Sequence, residues 1–107
     1  MSAETLRRAA SLMRERAEAA TPGPWRVVAD SDTGETSVLG GPYDRYLADV
    51  HEWSTGIGNP AHIASWHPAV ALAVADWLEV TARDVGTSTL AFHAALAVAR
   101  AHLGEAL

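Results

Sequence analysis

The sequence predicts an α+β fold, a small three-stranded antiparallel sheet packed by helices in the order α-β-β-β-α-α. Two observations carry most of that reading. Apolar residues recur at spacings of three and four near the N-terminus, from Asn59 to Val80, and again after Thr87. Between the first two of these stretches lie short runs of alternating residues, bounded by proline and glycine turns. At 107 residues the chain fits one domain, 1–107, able to bury a core without disulfide or metal staples.

The first helix is expected over Ala3 to Ala20, with Ser2 as its cap and Glu4 in its first turn. Its apolar stripe is Leu6, Ala10, Met13, Ala17 and Ala20, and four arginines and two glutamates cover the other side as a solvated face. Thr21-Pro22-Gly23-Pro24-Trp25 ends it, because neither proline can continue a helix. Trp25 to Ala29 is then extended, and Asp30 to Gly34 is a polar turn. Glu35 to Leu39 is the second strand, Gly40-Gly41-Pro42 the next turn, and Arg45 to Trp53 the third strand. Simple alternation would point Tyr46, Ala48 and Val50 one way and Leu47, Asp49 and His51 the other.

The stretch from Asn59 to Val80 organises the rest. Asn59 is the expected N-cap and Pro60 the first helical residue. Ile63, Trp66, Val70, Val74, Trp77 and Leu78 fall on one face, which is expected to be buried. The other face, with Ala71, Leu72, Ala73, Ala75 and Val80, is hardly more polar, so the segment should be wrapped on more than one side. Pro68 predicts a kink or break near His67 and a fresh start. Thr87 or Ser88 should cap the last helix, and Gly104 should stop it. Apolar helix surface in this excess predicts a homo-oligomer, most simply a dimer.

Composition removes several functions. A net charge of −5 argues against general nucleic-acid binding. The absence of cysteine excludes disulfides and thiolate chemistry, and fits a cytoplasmic location. All eight basic residues are arginine, so neither a Walker A lysine nor a Schiff-base lysine exists. Neither a signal peptide nor a membrane span is expected, since charges and histidines interrupt every apolar run.

The five histidines show no zinc-protease spacing. His62 and His67 stand about 140° apart around an ideal helix and do not converge. No metal, cofactor or catalytic residue is assigned, although Asp49 and His51 are close enough on one strand face for acid–base cooperation. The loop Thr55-Gly56-Ile57-Gly58-Asn59 is the better candidate. Its glycines would allow close backbone approach, and a helix start attracts anions. A ligand site is expected from Trp25, Arg26, Asp49, His51, Gly56, Gly58, Asn59, His62 and Trp66. Arg45 could add charge, and the tryptophans could stack on a flat ring.

The segment Ala20 to Trp25, and Ala48-Asp49-Val50 followed by Asn59-Pro60-Ala61-His62-Ile63-Ala64, resemble small TPGPW-motif proteins of actinobacteria and their phages. The same two places are similar to Ead-type early-region proteins of phages. The resemblance covers roughly the middle half of the chain, and the segment from Thr87 onward departs from it. It implies a phage or mobile-element setting and carries no activity with it. It also implies that Trp25, Asp49, Asn59 and His62 lie together. The resulting expectation is a non-enzymatic binding protein that sequesters a small nucleotide-like ligand in host defence or regulation. The alternatives are a module that binds a host protein through an apolar helix face, and a metal-assisted hydrolase using Asp49 and His51.

Overall fold

The computed structural model describes residues 2–29, 35–50, 58–84 and 88–105. Its elements are α1 (Ser2–Ala19), β1 (Trp25–Ala29), β2 (Thr36–Gly40), β3 (Arg45–Val50), α2 (Asn59–Ser65), α3 (Pro68–Arg83) and α4 (Thr89–Leu103). With α2 and α3 taken as one interrupted helix, this is the expected α-β-β-β-α-α order. The polar turn at 30–34 and the expected third-strand residues 51–53 lie outside the described residues. The chain forms two compact units, one of Met1–Arg16 with Ala71–Leu107, the other Ala17–Val70.

The first unit is helical. Its core joins Leu6, Ala9, Ala10 and Met13 of α1 to Ala75 and Leu78 of α3 and to Ala95, Leu96 and Ala99 of α4. Five of these nine are alanine. Small side chains let helix axes approach closely, so that Leu6, Met13 and Leu78 fill the remaining space. Val74, Ala82, Phe92, Val98 and Leu103 pack around this centre, half-buried.

The α3 face that is buried is not the expected one. Ala71, Ala75, Leu78 and Thr81 are covered, whereas Trp77 is 44% and Val80 54% exposed. Of the six residues assigned to the buried face, only Leu78 is fully enclosed. Val70 and Val74 are intermediate, and Ile63, Trp66 and Trp77 are exposed. Where both sides of a helix are apolar, fit between neighbours decides which side goes in, and the alanine side fits. Thr81 is tolerated there because its hydroxyl donates back to the Trp77 carbonyl at 2.8 Å.

The α4 termini follow the sequence. Ser88 Oγ accepts from the Ala91 amide at 3.1 Å, satisfying one free donor of the first turn. Gly104, at φ 74°, turns the chain left-handed. The Gly104 amide then donates to the Ala101 carbonyl and the Glu105 amide to that of Arg100, the paired bonds of a Schellman motif.

The second unit holds the sheet. It is an antiparallel meander, β1-β2-β3, with Trp25 opposite Gly40, and Thr36 opposite both Ala29 and Val50. The β2–β3 ladder slips between Val38 and Leu39, pairing Val38 with Ala48 but Leu39 with Tyr46. Leu47 is thereby left over as a bulge. Tyr46 and Ala48 consequently face opposite sides of the sheet, not the same side as strict alternation predicts. α2 packs on β1 and β2, with Pro60 and Ala64 as its buried residues. The break before Pro68 is present: the Trp66 amide donates to Ile63, and the Val70 amide restarts the pattern on the His67 carbonyl.

Candidate functional site

The predicted ligand residues that the structure describes all fall in the second unit. His51 and Gly56 lie outside the described residues, as do Trp53 and most of the glycine loop. Trp25 starts β1 half-buried, and its indole N–H donates to the Thr21 carbonyl at 2.9 Å. That bond closes the proline turn onto the strand, whose Gly23–Pro24 peptide is cis. Arg26, the next residue, is exposed and engaged: it meets both carboxylate oxygens of Asp44, at 3.0 and 3.3 Å. Asp49 accepts a hydrogen bond from Ser37 Oγ across the β2–β3 ladder at 2.6 Å.

The register separates these side chains. Arg26 pairs with Leu39 and Val28 with Ser37, which in turn pairs with Asp49. Arg26, Asp49 and Ser37 do not alternate together with Trp25: Ser37 and Gly40 are three apart on β2, so Asp49 and Trp25 lie on opposite faces. On α2, Asn59 is the first helical residue and caps nothing; Gly58 occupies the cap position, at φ −81°, with no side-chain bond. Pro60 is accordingly the second helical residue. A methyl group placed on Gly58 would meet nothing within 4 Å, so its glycine is not required by any close approach among the described residues. His62 and Trp66, one turn apart on α2, are both exposed, Trp66 at 40%.

Two features escaped the sequence reading, and a third gives residues to the apolar helix face that it named only in general. The first is His67, not His62, against the proline turn. A Cβ on Gly23 would run into the imidazole, with Cγ only 3.0 Å away, so a glycine is needed there. His67 Nδ1 is enclosed without a hydrogen-bond partner. The signal was present, since TPGP supplies the one residue small enough to pass beneath a ring, but nothing in the sequence names that ring.

The second is an open cleft of about 450 Å³ between the end of α1 with Thr21 and Pro22 on one side, and Gly40 to Tyr43 with Arg45 on the other. No described member of the predicted ligand set lines it. Its floor is formed where two turns meet closely. Gly41 sits at φ 79°, and a Cβ there would come within 2.9 Å of Thr21 Cγ2. Gly40 is covered by Trp25, whose Nε1 would lie 2.8 Å from an added Cβ. Arg45, opposite Gly40 in the ladder, has no ion-pair partner among the described residues, in contrast to Arg26. Tyr43 stands at the mouth, 92% exposed.

The third is the outer face of α3, in the first unit. Ala73, Trp77 and Val80 form an exposed apolar stripe at spacings of four and three. Beside it, Arg14 of α1 holds Asp76 at 2.8 Å and Glu79 at 2.5 Å. Those hydrogen bonds, Asp76 first, raise the Arg14 pKa further above its ordinary value. Arg8 and Glu105 tie α1 to the end of α4. His102 lies under that end with Nε2 buried and unpartnered; desolvation, and then the charge of Arg16, hold its pKa below the usual 6.5.

The described residues contain no group of three side chains placed to hold a metal, and no helix among them is long and apolar enough to cross a membrane. No curated protein matches the chain, and no solved structure does. A family profile does, and it runs through α4, well beyond the middle half to which the sequence resemblance was confined. Matched over residues 11–105, the chain belongs to the Ead/Ea22-like protein family.

Proposed function

We propose that this is a phage-type binding protein that acts by docking the outer face of α3 onto another protein. The observation that supports the reading is the Ala73–Trp77–Val80 stripe, which leaves a tryptophan and a valine substantially in water. A large aromatic side chain at the centre of an exposed apolar strip is the composition of an interface hot spot. The net charge of −5 steers the chain toward a partner whose apolar groove carries a basic rim. Family membership supplies the phage-type setting and no activity.

The test uses Val80→Glu and Trp77→Gln in the full chain. Both sites are exposed, so each variant should keep the wild-type circular dichroism spectrum. Capture of the partner from host extract should fall at least about tenfold, the usual consequence of losing a hot-spot residue. Capture at the wild-type level by both folded variants would remove the reading. A native mass of two chains, reduced to one by either variant, would instead make a second copy the occupant.

A further inference from the structure

The geometry points to a second binding site, in the other unit: the cleft beneath Tyr43 takes a small aromatic molecule carrying a single carboxylate. This does not depend on the α3 face. A volume of about 450 Å³ lies within the range of small-molecule sites. Its shape is set by backbone rather than by movable side chains. At Gly40 and Gly41 an added side chain would strike Trp25, Leu47 or Thr21, so the backbone at the cleft packs directly on its neighbours and glycine is needed at both positions.

The lining chooses the ligand. Pro22 and Pro42 present apolar, rigid surfaces, and the exposed Tyr43 adds an aromatic ring at the edge, which together suit a flat ring. Arg45 supplies the charge. Its neighbour in sequence, Asp44, is committed to Arg26, and no acceptor among the described residues pairs with the Arg45 guanidinium. Two facts argue for one negative charge rather than several. Arg45 is the one cation lining the cleft among the described residues, and Ala19, the last residue of α1, with Ala20 just beyond it, places the negative end of a helix dipole along the wall. A phosphate, doubly charged near neutrality, would meet that end unfavourably in a chain of net charge −5.

The experiment is a titration of the 15N-labelled full chain, followed by amide shifts, with indole-3-acetate as the probe. Indole, acetate and adenosine monophosphate serve as separate arms. Indole-3-acetate should shift the Gly40, Gly41 and Arg45 amides along saturable curves. Indole and acetate should bind at least about tenfold more weakly, because each lacks half of the recognition. Arg45→Gln should weaken indole-3-acetate about tenfold or more, the effect of losing a charge-assisted hydrogen bond. Tyr43→Ala, at a site too exposed to affect folding, should weaken it several-fold. Absence of saturable shifts up to millimolar indole-3-acetate would overturn the proposal, as would an unchanged response in folded Arg45→Gln. Tighter binding of adenosine monophosphate would overturn the preference for a single carboxylate.

Discussion

Consider paired substitutions on the two faces of α3, Leu78→Ala with Val80→Ala, and Ala75→Leu with Ala73→Leu. Leu78 is 0% exposed at the centre of the helical core. Removing its three outer carbons loses their transfer energy and leaves a cavity, together about 3 kcal/mol within a usual range of roughly 2–5. For a chain of this size that lowers Tm by on the order of 10–20 °C. Val80, two residues on, is 54% exposed. Truncating it loses little contact, and alanine is the better helix former by about half a kcal/mol, so the net change should stay within ~0.5 kcal/mol. The second pair runs in the opposite direction. Ala75 is 0% exposed among Leu6, Met13 and Leu96, and a leucine there overpacks the core by about 1–3 kcal/mol. At exposed Ala73 the same change should be nearly neutral. Urea unfolding monitored by circular dichroism measures all four at constant m-value. The reasoning is refuted if Val80→Ala costs as much as Leu78→Ala, or if Ala73→Leu destabilises as much as Ala75→Leu, for then both faces of α3 are enclosed.

Three further outcomes follow from particular contacts. Ser88→Ala should destabilise by about 1 kcal/mol through loss of the Ala91 amide's partner, with Ser88→Asp restoring most of it in the same melt. Gly40→Ala should cost about 1–3 kcal/mol, because the new methyl displaces the Trp25 ring and strains its bond to Thr21; a changed tryptophan emission spectrum should accompany the loss. His102 imposes a pH dependence. Its folded pKa lies below the ordinary 6.5, so the unfolded chain binds the proton first, and stability falls as pH drops from above 6.5 toward the lowered folded value. Urea melts across that window should show the slope, and His102→Leu should reduce it; an identical slope in the variant would assign the effect elsewhere.

Much of the fold is legible because punctuation residues act locally. Pro68 breaks the long helix wherever it sits, since it lacks an N–H, and Trp66, His67 and Val70 arrange themselves around that gap. Ser88 and Gly104 terminate α4 by the same local logic. What escaped depends on neighbours distant in sequence. Hydrophobicity could not orient α3, because both of its sides are apolar; the small Ala71–Ala75 side won by fitting α1 and α4. The bulge at Leu47 arises from pairing with β2, and it reverses the face assigned to Tyr46. Asn59 looked like the cap because of its chemistry, yet the cap position falls one residue earlier, at Gly58, and Asn59 is already helical.

The candidate site was less legible for a related reason. Arginines and tryptophans near a glycine loop form a plausible list, but a side chain's availability depends on its partner. Asp44 takes Arg26, Ser37 takes up Asp49, and the Thr21 carbonyl holds the Trp25 indole. Arg45, mentioned in the sequence only as added charge, is the arginine left unpaired at the cleft among the described residues. Trp77 was assigned to the core by its spacing and lies instead on the surface proposed to bind.

Hydroxyl-radical footprinting of the full chain, read residue by residue with and without the captured partner, tests that surface most directly. Trp77 should be oxidised readily in the free protein and protected in the complex, with the slower-reacting Val80 following it, while buried Met13, a side chain of comparable intrinsic reactivity to tryptophan, stays unmodified in both. A Trp77 that resists oxidation in the free monomer, or one that remains as reactive in the complex as without it, would contradict the account.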